Sequence, residues 1–176
     1  EVVLEGFGEV MMPGRFEVLG RQPLTIVDAA HNPPGADVCA QVFFEDFQPD
    51  GRRILVVGTL RDPEGILAAL RADEFDLVFA CTAPSPRGVP AVEVADAARR
   101  LGCDDVYVFD TVEAACQRAM EYADGDDAVL ATGSLYTAGA ARPALQRYAN
   151  CNSWSALTER RWLATLGRPD SGSSLA

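Results

Sequence analysis

Short apolar runs separated by helical patterns dominate this chain and restrict it to few folds. Leu24-Thr25-Ile26-Val27, Ile54-Leu55-Val56-Val57, Leu77-Val78-Phe79-Ala80, Val106-Tyr107-Val108-Phe109 and Ala128-Val129-Leu130-Ala131 are each four residues long. Unbroken runs of this length suit strands covered on both faces, as in a parallel sheet. Between them, apolar residues recur at helical spacing: Val38, Val42, Phe43 and Phe47 within 35–47, then Ile66, Leu67 and Leu70, then Val94, Ala95, Ala98 and Leu101. Residues 112–122 and 135–148 complete the series. Strand and helix alternate five times with short connections. The expected fold is therefore α/β: a doubly wound, mostly parallel, Rossmann-like sheet with helices on both faces. One further strand, Phe16 to Leu19, precedes Leu24 across a turn at Gly20 to Pro23.

A length of 176 residues suffices for one such domain with a proper core. Residues 1–12 read as an incoming interdomain linker and 13–149 as the α/β domain. Residues 150–176 read as a C-terminal helix carrying Trp154, Leu157, Trp162, Leu163 and Leu166, then a Gly/Ser-rich tail expected to be disordered. A start at Glu-Val-Val-Leu without Met reads as a fragment of a longer polypeptide. The formal charge is −11 and the chain has no Lys. That balance argues against nucleic acid as a partner, because neutralising phosphates needs a basic face. No apolar run approaches the roughly 18 residues of a membrane span, and no charged-then-apolar leader is visible. Cys39, Cys81, Cys103, Cys116 and Cys151 form no C-x-x-C pair and there is one histidine, so no metal site is expected. Reduced, buried thiols in a cytoplasmic protein fit this cysteine usage.

The chemistry-bearing residues collect where strands end. Leu24 to Val27 runs straight into Asp28-Ala29-Ala30-His31-Asn32-Pro33, with an acid, the single histidine and an amide in five residues. Gly58 to Asp62, Ser85 to Arg87 and Gly133-Ser134 follow later strands, and a doubly wound sheet brings such loops to one edge, where open α/β folds hold ligands. Asp28 can accept both hydroxyls of a ribose. Arg15, in Pro13-Gly14-Arg15-Phe16-Glu17, can stack on a purine or fork onto a phosphate. Ser134, at a Gly-Ser turn opening a helix, can offer its hydroxyl and a backbone N–H to a carboxylate. Plainer roles stand beside these: Asp28 and Ser134 as helix N-caps, His31 as a solvated loop residue, and Arg15, Arg61 and Arg87 as surface cations.

Taken together, Pro13-Gly14-Arg15-Phe16-Glu17, Asp28-Ala29-Ala30-His31-Asn32-Pro33 and Gly133-Ser134-Leu135-Tyr136 resemble the C-terminal domain of the folylpolyglutamate synthase/dihydrofolate synthase family, within the Mur ligase superfamily. The Ser85-Pro86-Arg87 loop is similar too, and the resemblance spans roughly residues 10 to 147. It implies a reaction in which ATP phosphorylates a carboxylate of folate or dihydropteroate and the amine of L-glutamate displaces phosphate. By matching position it implies nucleotide contacts from Arg15 and Asp28, with Asn32 in a supporting, cofactor-binding role. His31 and Ser134 would serve the incoming glutamate and its positioning. ATP and Mg2+ would be bound mainly by an N-terminal ATPase domain of the same polypeptide, because the family's phosphate loop needs a Lys. Neither a Lys nor a G-x-x-x-x-G-K-[ST] segment is present.

Two other readings fit the same residues. One is a stand-alone nucleotide- or amino-acid-binding α/β module; the other is a different Mur-type ligase, such as cyanophycin synthetase. On the ligase reading the purified chain alone has no synthase activity. Incubation with ATP, glutamate and a folate acceptor should yield no glutamylated product, and robust ligation would overturn the reading.

Overall fold

The computed structural model describes residues 14–148. Pro13, the expected linker over 1–12 and the expected helix and tail over 150–176 lie outside the described residues. In chain order the elements are β1 (Glu17–Arg21), β2 (Leu24–Val27), α1 (Pro33–Gln41), β3 (Arg53–Val57), α2 (Pro63–Ala69), β4 (Leu77–Cys81), α3 (Ala91–Arg100), β5 (Val106–Phe109), α4 (Val112–Tyr122) and β6 (Ala128–Thr132). A last helix, α5, occupies 135–148.

Local chemistry explains the helix starts. Asn32 has extended backbone and its Oδ1 accepts the Gly35 N–H at 2.9 Å. Pro33 and Pro34 then fill the first positions, where a missing N–H costs nothing. Asp62 caps α2 through the Gly65 N–H with Pro63 next in line, and Thr111 caps α4 through the Ala114 N–H.

The sheet has six strands in the order β1-β2-β6-β3-β4-β5. β1 runs antiparallel to β2, and every other pairing is parallel. The last strand therefore inserts between the second and third, with Leu130 opposite both Ile26 and Leu55. Side chains alternate across the sheet. Ile26, Leu55, Val57, Val78, Ala80 and Leu130 pack with residues of α1, α2 and α3. Val27, Ile54, Val56, Phe79, Val129 and Ala131 pack with residues of α4 and α5. Helices cover both faces, as the continuous apolar runs require.

One detail departs from the sequence expectation. The buried side of the first helical segment is Ala36, Cys39, Ala40 and Phe43, whereas Val38 is 60% exposed and Phe47 37%. Val38 stands opposite the regular Ala36, Cys39, Ala40 and Phe43 face, and the wider π-helical turn over Val42–Phe47 carries Phe47 off that face.

Opposite the carboxyl edge, the sheet is fastened by Asp127, whose side chain is only 6% exposed. It accepts the Arg52 N–H at 2.7 Å, the Asp124 N–H at 2.8 Å and Arg52 Nη2 at 2.8 Å. Burial pushes its pKa up, but the Asp124 N–H and Arg52 outweigh that and hold the carboxyl below its ordinary value. Asp127→Ala should lower the unfolding free energy at neutral pH by about 2–3 kcal/mol, mostly through the amides left unsatisfied. Because the folded pKa is depressed, this stabilisation is complete above about pH 4 and lost as pH falls through the folded value. Urea melts should therefore show the gap between wild type and variant narrowing in acid.

Candidate functional site

At the carboxyl edge, β2 and β6 lie side by side and send the chain to opposite faces, β2 into α1 and β6 into α5. Such a divergence leaves a crevice above the strand ends. The Asp28 N–H continues the ladder onto the Ala131 carbonyl at 3.0 Å, so Asp28 stands at the mouth of that crevice by strand register. An open cleft of about 580 Å3 lies there, a size that suits a small organic ligand. Gly14, Arg15 and Phe16 form one wall, Asp28 to Asn32 the floor, Val38, Cys39 and Val42 of α1 the second wall, and Leu135 the rim.

Asp28 is half-buried and already engaged by backbone. Its Oδ2 accepts the Phe16 N–H at 2.8 Å and its Oδ1 accepts the Ala30 N–H at 2.7 Å. Each oxygen keeps a second lone pair, so the carboxylate can still take two ligand hydroxyls. Asp28 does not cap α1; Asn32 does. The Cys39 thiol is pushed above its ordinary value, first by burial and then by the neighbouring Asp28 carboxylate. It therefore borders the floor as a neutral group. Arg15 is exposed on the wall and makes no ion pair among the described residues.

His31 is exposed on the floor, with Nδ1 3.1 Å from the Ala29 carbonyl. A carbonyl oxygen only accepts, so Nδ1 is the donor in this contact, and Nε2 has no protein partner among the described residues. Asn32 spends its Oδ1 on the Gly35 N–H, and its side-chain NH2 has no protein acceptor among the described residues.

Ser134 sits elsewhere. It is fully buried and does not line the cleft. Its Oγ accepts the Thr137 N–H at 3.0 Å and lies 2.8 Å from Thr137 Oγ1, which donates to the Gly58 carbonyl at 2.7 Å. This chain of hydroxyls starts α5 and ties the β6 loop to the β3 loop. Gly133 makes the approach possible: its φ is +108°, and a Cβ there would stand 2.7 Å from the Gly58 carbonyl oxygen. Thr59 and Thr132, both buried at this edge, have hydroxyls without protein partners among the described residues. The Ser85 to Arg87 loop follows β4 at the same edge but lines no part of the cleft.

Sequence reasoning missed Val38 and Leu135, 60% and 67% exposed, as apolar cleft residues. It also missed the join between Glu17 and Arg142. Arg142 carries no local signal, since on a helix it reads as one more solvated cation and its partner is 125 residues away.

The described residues form a Rossmann-like α/β domain with an open cleft at the carboxyl edge of its sheet. Residues 14–135 match the family described as Mur ligase, glutamate ligase domain, and the chain belongs to that family. It is 37% identical over 161 residues to a dihydrofolate synthase/folylpolyglutamate synthase of Mycobacterium tuberculosis, covering 81% of this chain and 32% of that protein. A probable bifunctional folylpolyglutamate synthase/dihydropteroate synthase of Haloferax volcanii is 36% identical over 144 residues, covering 81% of this chain and 17% of that one. A Yersinia pestis bifunctional folylpolyglutamate synthase/dihydrofolate synthase, solved with AMPPNP and a Mn ion, superposes with a TM-score of 0.70 at 34% identity. That match covers 80% of this chain and 33% of the other. The chain thus spans about a third or less of the length of these relatives.

Ser134→Ala removes the buried cap of α5 and one member of the hydroxyl chain. It should cost about 1–2 kcal/mol in chemical denaturation, with little change in the cleft's exposed residues.

Proposed function

We propose that residues 13–149 are the C-terminal domain of a cytoplasmic, ATP-dependent amide ligase that joins L-glutamate to folate or dihydropteroate. The observation that carries this reading is the cleft itself, which sets an exposed guanidinium, a half-buried carboxylate and an imidazole base around one open hollow. Arg15 would meet the phosphates or the purine face, and Asp28 would take the ribose hydroxyls with its remaining lone pairs. The N-terminal ATPase domain of the same polypeptide would close over the open side, as hinged enzymes do when they exclude water.

In the first step an oxygen of the acceptor carboxylate attacks the γ-phosphorus of ATP and ADP leaves. In the second, the amine nitrogen of glutamate attacks the acyl carbon, the C–O bond to phosphate breaks, and an amide remains. The amine must lose protons on the way. His31 Nε2, its other nitrogen held by the Ala29 carbonyl, would accept one. Ser134 would act indirectly, by fixing the start of α5 and the Gly133 backbone near the glutamate carboxylate. Asn32 would hold the His31 loop on α1. Among the described residues no group of three ligating side chains is assembled, and on this reading Mg2+ would be held mainly outside this domain, with substrate phosphates completing its shell. The metal would belong to the ATPase half, as would the lysine of the phosphate loop.

The test is steady-state kinetics on the ligase polypeptide carrying this domain. ADP release should depend on glutamate and on a folate or dihydropteroate acceptor. Arg15→Ala and Asp28→Asn should each raise KM for ATP roughly tenfold, the worth of one good charged contact. Glutamate-independent turnover, or variants indistinguishable from wild type, would overturn the proposal.

A further inference from the structure

The Gly14–Phe16 turn that forms one cleft wall is strained. Gly14 has φ +76° and Phe16, a bulky residue, has φ +44°. A side chain of this kind stays in the left-handed region only when its surroundings hold it there. Three contacts do so. The Phe16 N–H is held by Asp28, and the Phe16 ring meets Phe47 at a centroid distance of 5.2 Å. The third is Glu17, whose Oε2 accepts the Gly14 N–H at 3.0 Å. Glu17 is itself gripped from the far end of the chain. Arg142 Nε lies 2.9 and 3.0 Å from its two oxygens, and Nη2 lies 2.8 Å from Oε1. The Glu17 side chain is 8% exposed, so its carboxylate sits largely out of water, while the Arg142 side chain stays 40% exposed.

Arg15 is the residue between these two fixed amides. We propose that Glu17 and Arg142 are positioning residues that lock the Gly14–Phe16 turn against α5 and so aim Arg15 and Asp28 at one ligand, an inference that rests on the nucleotide reading of the cleft. Neither residue lines the cleft. They act through the backbone: Arg142 orients the Glu17 carboxylate, the carboxylate holds the Gly14 N–H, and the turn delivers the Phe16 N–H to Asp28. Both ends of the chain's described fold, β1 and α5, are thereby committed to the geometry of one loop.

The test uses Arg142→Gln, Arg142→Lys and Glu17→Gln. In the 176-residue chain, Arg142→Gln and Glu17→Gln should speed amide exchange at Gly14 and Phe16 at least tenfold, while the β3 and β6 amides stay protected. In the ligase polypeptide, Arg142→Gln should raise KM for ATP roughly tenfold, as misplacement of a binding group does, with kcat and the KM for glutamate within twofold. Arg142→Lys should recover part of that loss, and the Glu17→Gln/Arg142→Gln double variant should be no worse than either single one. Unchanged exchange at Gly14 and Phe16, or raised exchange with unchanged KM for ATP, would overturn the inference. A uniform loss of kcat matching a loss of folded protein would do the same. If wild type shows no ATP dependence, the nucleotide reading fails and the positioning role fails with it; raised exchange would then mark the pair as a purely structural clamp.

Discussion

The insertion of β6 between β2 and β3 is the constraint on which the carboxyl edge depends. Both sides of β6 are hydrogen-bonded to parallel neighbours, so its register fixes where Asp28, Gly58 and Thr132 stand relative to one another. The Asp28 amide on the Ala131 carbonyl and the Gly58 amide on the Thr132 carbonyl extend that register into the loops. Above them, the Ser134–Thr137–Gly58 hydroxyl chain and the close passage of Gly133 past Gly58 leave no room for slippage. A strand made last in the chain thus completes the site begun by the first parallel strand.

The cleft combines apolar walls with few polar groups. Val38, Val42 and Leu135 present apolar surface to the cleft, while Arg15, Asp28 and His31 place a guanidinium, a carboxylate and an imidazole at separate points of it. On the proposed reading such a division would orient a ligand: burial would supply the attraction and the polar groups would set the direction. A second domain would, on that reading, cover Arg15, Val38 and Leu135, which are exposed among the described residues. The sequence contains no Lys, so on the proposed reading the phosphate-loop chemistry would come from another part of the polypeptide.

Much of this was legible in one dimension because two periodicities are local. The parallel strands fall on the unbroken apolar runs, and α4 begins and ends where the apolar spacing places it, at Val112 and Tyr122. Asp28, His31 and Arg15 were visible as unusual residue types beside turn signals, and their loops do meet in one cleft. Val38 was misplaced for a physical reason. It lies on the side of the regular helix opposite Ala36, Cys39, Ala40 and Phe43, and that inward side is set by where Phe43 finds Phe75, a stacked pair 5.2 Å apart in centroid distance.

By itself the sequence determined the α/β class, the strand and helix positions, and which residue types stand at strand ends, because hydrophobic period and turn chemistry act over a few residues. Only the tertiary structure decided that Asn32 and not Asp28 caps the first helix, that Ser134 is sealed beneath Thr137, and that Arg142 grips Glu17. The last two turn on side-chain hydrogen bonds, Thr137 to Gly58 and Arg142 to Glu17, whose geometry is set when the strands take their order. They join residues 79 and 125 positions apart, and no local pattern records such a distance.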